Sequence, residues 1–140
     1  MIIQNVYLED WDWYVKVYYA IDTFYMDLIL DDLESMGCSK IKRNNIINTL
    51  TEYQYNNGLT YSNVVYKQSL IVIGITESSE EFQNTFDHEK GHLAMHIAET
   101  YNIDVFGEEY QYLVGDIGKK LFPIAKKFMC DCCRLSLKGS

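Results

Sequence analysis

The pattern His88-Glu89-Lys90-Gly91-His92 sets two imidazoles four residues apart with a carboxylate between them. Residues four apart share one face of a helix, so both rings can point at one metal ion. Glu89 then stands beside that ion, placed to take a proton from a metal-bound water. A zinc site needs a third protein ligand. His96 does not qualify, because eight residues rise about 12 Å along a straight helix while Zn–N bonds are about 2 Å. It reads as a supporting or core histidine. Asp87 and Glu99 flank the pattern and are candidates to orient an imidazole.

The third ligand is expected from the carboxylates that follow Gly107. Glu108 and Glu109 open a further helical pattern, 16 and 17 residues after His92. Glu108 shares its face with Gly115 and lies near that of Gly118, small residues that let two helices approach. Glu109 instead flanks the apolar stripe. Glu108 is the preferred ligand, and both stay open. If the substrate is a carbonyl compound, Tyr112 is the first candidate to stabilise an oxyanion and Tyr110 the second.

These residues need elements to hold them. Ser78 followed by Glu81 is a capping-box pattern, and it predicts a long helix from about Ser79 to Tyr101 around the two histidines. Tyr110, Leu113, Val114, Ile117 and Leu121 predict a second helix over 108–120, and the basic tail after Pro123 reads as a further short helix. Upstream, the β-branched and aromatic run Trp13–Tyr19 predicts a strand. A helix capped by Asp22 or Thr23 is expected to run to Met36 and end at Gly37. A second is expected to start at Ser39, with Ile41, Ile46, Ile47 and Leu50 at helical spacing. Asn56-Asn57-Gly58 signals a turn. Leu59–Tyr66 and Ser69–Thr76 follow as extended segments, the second carrying the apolar run Leu70–Ile73. The fold class is α+β, one domain over 1–140, with a small sheet and two long helices late in the chain.

Composition narrows the functions. With 12 Lys and Arg against 20 Asp and Glu, the formal charge is −8. Such a chain has little electrostatic grip on a phosphate backbone, so nucleic acid is not an expected partner. The stretch 77–118 holds ten of the acids, one base and all three histidines. No apolar run reaches the roughly 18 residues of a membrane span, and the first residues lack the basic start of a signal peptide, so a cytoplasmic protein is expected. Cys130, Cys132 and Cys133, with Cys38 distant, fit no zinc-ribbon spacing and read as free thiols.

The pattern H-E-x-x-H followed by a helical Glu resembles the gluzincin type of zinc metallopeptidase. Glu108-Glu109-Tyr110-Gln111-Tyr112-Leu113-Val114-Gly115 also resembles the E-x-x-A-Y-L-x-G pattern of small metallopeptidase-like proteins from phages and bacteria, with Gln111 in place of the Ala. The resemblance covers Leu70 to Ile117, about a third of the chain. It implies a small zincin-like domain that binds Zn²⁺ through His88, His92 and Glu108, with Glu89 as general base and a peptide or protein as substrate. It also implies an edge strand just before the metal-bearing helix that receives an extended peptide, a position occupied by Ser69–Thr76. Lys90 departs from the pattern, since zincins place an uncharged residue there. The competing expectation is a zincin-like binding module without turnover, with a structural metal or a strand-docking edge.

Overall fold

The computed structural model describes residues 1–20, 26–52 and 58–138. Its strands are β1 (Ile2–Leu8), β2 (Trp13–Tyr19), β3 (Gly58–Asn63) and β4 (Gln68–Ile73), and its α-helices are α1 (Met26–Ser35), α2 (Lys40–Glu52), α3 (Ser79–Tyr101), α4 (Glu108–Ala125) and α5 (Asp131–Lys138). The sheet order is β1-β2-β4-β3. β1 and β2 are antiparallel, β2 and β4 parallel, and β3 and β4 antiparallel, so the sheet is mixed.

Side chains alternate across a strand, and here the alternation divides two cores. Trp13, Val15, Val17 and Tyr19 of β2, with Ile71 and Ile73 of β4, pack against Phe82, Phe86, Leu93 and Ile97 of α3 and Leu113, Ile117 and Leu121 of α4. Tyr18, Leu70 and Val72 point the other way, toward Ile29 and Leu33 of α1 and Ile46 and Leu50 of α2. The sheet is therefore covered by helices on both faces. That explains why β2 and β4 are apolar nearly throughout instead of alternating with polar residues.

Three sequence expectations are corrected. The segment expected as an edge, Ser69–Thr76, forms the inner strand β4, which pairs with β2 on one side and β3 on the other. The edge beside α3 is β3. The strand β1 went unread, although Val6 and Leu8 alternate with polar or exposed neighbours and face the α3–α4 core. The helix expected to stop at Lys120 runs through Pro123 to Ala125. Proline costs one backbone hydrogen bond there, in the last turn, and burial of Leu121 and Ala125 offsets it.

The local signals around α3 act as read. The Ser78 hydroxyl accepts the Glu81 N–H at 3.1 Å, and the Glu81 carboxylate reaches back to the Glu77 N–H at 3.0 Å. Asn102, in the left-handed region at φ 54°, ends the helix. Ser39 accepts the Lys42 N–H before α2, and Gly37, at φ 81°, closes the turn after α1. Ile41 is exposed and not on the buried face. The caps expected at Asp22 or Thr23 and the first two residues of the Asn56-Asn57-Gly58 turn lie outside the described residues.

Candidate metal centre beside the edge strand

His88 and His92 stand on the exposed face of α3 with their Nε2 atoms 3.2 Å apart and their rings nearly perpendicular, at 78°. Two lone pairs that close require something between them. In the ion-free protein an Nε2–H of one ring is in position to donate to the Nε2 of the other. A tetrahedral ion with Zn–N bonds of 2.0–2.1 Å spans two nitrogens about 3.3–3.4 Å apart, so the pair also matches two corners of a zinc site.

Glu89 turns from that face toward the sheet and is buried. The Thr60 hydroxyl of β3 sits 2.9 Å from Glu89 Oε1 and 3.0 Å from the Glu89 backbone carbonyl, its single O–H shared between the two acceptors. Gly58, two residues earlier in the same strand, lies directly over the carboxylate. A Cβ there would come within 2.6 Å of Glu89 Cγ and Oε2. The strand must approach this closely for Thr60 to reach Glu89, and only glycine permits it. Reading Gly58 as a turn residue missed this role. Its signal in sequence was weak: two residues before a threonine, nothing but the fold places it on Glu89.

His96 is held from behind. Trp13 Nε1 donates to Ser69 Oγ at 2.8 Å, Ser69 and Ser62 hydroxyls lie 2.6 Å apart, and Ser62 Oγ is 2.6 Å from His96 Nδ1. Trp13 is a donor only. One chain of donation that satisfies every group runs Trp13 to Ser69 to Ser62 to His96, with Nδ1 accepting. Burial, then the neighbouring His92, lowers the His96 pKa below the usual imidazole value, which keeps it neutral. His96 thus supports the strand–helix contact, as its spacing from His88 requires. It also lines an open groove of about 430 Å³ together with Lys42 of α2, Thr60, Tyr61 and Ser62 of β3, and Glu99 of α3.

Lys90 does not oppose the imidazoles. At about 100° per residue it lies roughly 160° around the helix from each of them. Its ammonium packs over the Phe86 ring, pairs with Asp87 at 3.3 Å and sits 3.5 Å from where a Cβ on Gly118 of α4 would be. Asp87 is therefore spent on Lys90 and Gln83. Glu99 is exposed along the groove.

The same contact fixes where α4 runs. It packs on the Lys90 side of α3, away from the histidine pair. Glu108 and Glu109 are exposed in its first turn and Tyr112 is 70% exposed, while Tyr110 is half-buried against the core. Gly118 touches Lys90, so Glu108, ten residues earlier on an antiparallel helix, lies about 15 Å further along the axis. Among the described residues, no group of three or more His, Cys, Asp or Glu side chains stands together to hold an ion. The structure brings His88 and His92 together, sets Glu89 against β3 on the adjoining helical position, and leaves Glu108, Glu109 and Tyr112 exposed on α4. Of the two glycines expected to let the helices approach, Gly118 faces Lys90 of α3, while a Cβ on Gly115 would meet no described atom within 4 Å.

The donor chemistry fits zinc at two positions: imidazole nitrogens, exposed to solvent, with a carboxylate on the adjoining helical position. No helix among the described residues is long and apolar enough to cross a membrane. No family model, curated protein or solved structure matches the chain.

Proposed function

We propose that this protein is a zinc-dependent hydrolase of peptide bonds, with His88 and His92 holding the ion and Glu89 as general base. The observation that carries the reading is the 3.2 Å span between the two imidazole Nε2 atoms. Bound zinc lowers the pKa of its water toward ~7 and polarises a carbonyl, which is the chemistry that peptide hydrolysis requires. The protein's part is proton handling. Thr60 engages Glu89 Oε1, which assigns to Oε2 the proton taken from water and passed on to the leaving amine. An extended substrate adds to the outer edge of β3, whose residues are all half-buried, and its side chains enter the groove between β3, α2 and the second half of α3. Two exposed imidazoles do not make the closed, four-ligand shell of a structural zinc site. We place the activity in the cytoplasm, where four unpaired cysteines accord with a reducing compartment.

A second reading, strand docking without turnover, is favoured by one observation: no third ligand joins the histidine pair among the described residues. Zinc content and peptide hydrolysis, measured on tag-free protein, separate the two. Under our reading zinc-loaded protein cleaves peptides, and Glu89→Gln keeps the zinc while activity falls by about 100-fold or more. Unchanged activity in Glu89→Gln refutes the base assignment. Zinc-loaded protein that binds peptides without cleaving them establishes the docking reading.

A further inference from the structure

Cys130-Asp131-Cys132-Cys133 fits no zinc-ribbon spacing, yet positions 130 and 133 are themselves a Cys-x-x-Cys pair. The structure gives this pair a defined setting. The Arg134 N–H donates to the Cys130 carbonyl at 2.8 Å, the first bond of α5, so Cys130 is the N-cap residue and Cys133 stands at the third helical position. An N-cap side chain faces the backbone N–H groups of the second and third positions. The N–H groups at those positions belong to Cys132 and Cys133, and with the Cys133 thiol one turn away they push the Cys130 thiol below its ordinary value while Cys133 is raised. Both cysteines are exposed, and all four in the chain are unpaired.

The turn that carries the pair is fixed to the rest of the molecule. Asp131 accepts the Ser79 N–H at 2.8 Å, at the start of α3. Arg134 is buried, donates to the Thr76 carbonyl at 3.3 Å and lies 3.7 Å from Asp131. The two cysteines therefore share one anchored helical turn.

We propose that Cys130 and Cys133 form a reversible dithiol–disulfide pair that exchanges with low-molecular-weight thiol disulfides, with Cys130 as the attacking sulfur and Cys133 as the resolving one. The Cys130 thiolate attacks one sulfur of the disulfide R–S–S–R. A Cys130–S–S–R bond forms, the R–S–S–R bond breaks, and one thiolate leaves with the electron pair. Cys133 then gives up its proton, attacks the Cys130 sulfur and displaces the second thiolate. The two protons lost by the protein end on the two released thiols. The net change is oxidation of two protein thiols and reduction of one disulfide to two thiols. Residues at the N-cap and the third position of one helix share a single turn, so this ring closes with little backbone movement.

The test is to treat the reduced full-length chain with oxidised glutathione, alkylate it, and read intact and fragment masses. The expected product is an internal disulfide, marked by the loss of two hydrogens, with Cys38 and Cys132 alkylated. Cys132→Ser should give the same product. Cys133→Ser should stop at a glutathione adduct on Cys130, and Cys130→Ser should slow capture by roughly tenfold or more. Accumulation of glutathione adducts on the wild-type chain without an internal bond overturns the proposal. So does capture at Cys132 as fast as at Cys130. Circular dichroism of each serine variant confirms that the compared chains are folded alike.

Discussion

At Gly58 a single missing side chain decides whether the carboxylate of Glu89 has room. Any Cβ there lies 2.6 Å from Glu89 Cγ and Oε2, inside contact distance. Gly58→Ala is therefore expected to displace the carboxylate, to cost about 1–3 kcal/mol by overpacking, and to abolish hydrolysis while zinc binding persists. Urea unfolding and zinc content measured on the same sample check both parts. His96 makes a second prediction at this scale. Burial and His92 lower its pKa in the folded state, so the unfolded chain binds the proton more readily. Its contribution to stability is then fully present above the unfolded value, about 6.5, and is lost as pH falls through the lower folded value. The difference in unfolding free energy between metal-free wild type and His96→Gln should stay level above that pH and shrink below it. A difference that grows on acidification contradicts the assignment. Glu99 favours the charged ring and Lys42 disfavours it, and both face the same groove.

At the level of elements, α3 was almost fully legible and its neighbours were not. Ser78 and Glu81 mark its start because capping is local chemistry, written within four residues. The two histidines share a face because helical spacing alone dictates it. Which strand lies beside them is a different matter. Leu70–Ile73 reads as a strand from its composition, but whether a strand is an edge depends on what pairs with it across tens of residues. Gln68–Ile73 acquires β2 as a parallel partner and moves inside, and β3 takes the edge. Where the expected third ligand stands depends on pairing of the same long-range kind. The wheel position of Glu108 on its own helix says nothing of which flank of α3 that helix will occupy, and Lys90 against Gly118 puts it on the far one. Glu108→Ala and Glu109→Ala are accordingly expected to leave zinc affinity unchanged within about twofold by isothermal titration. A large loss in either would show that α4 supplies a ligand after all.

Across the whole molecule, a four-stranded mixed sheet is packed between α3–α4 and α1–α2, and the histidine pair sits where the edge of that sheet meets the longest helix. Exposure of the pair and burial of its neighbour Glu89 both follow from this placement. The wheel position facing β3 is covered by Thr60 and Gly58, while the positions of His88 and His92 clear the strand. The acid-rich stretch 77–118 covers α3 and the greater part of α4. The account as a whole stands on one ion bridging two rings. A crystal structure of tag-free protein grown with zinc, phased at the zinc edge, should show an anomalous peak about 2.0–2.1 Å from Nε2 of both His88 and His92. Zinc-saturated crystals with no peak between those rings, and the rings still joined by a proton, would contradict it.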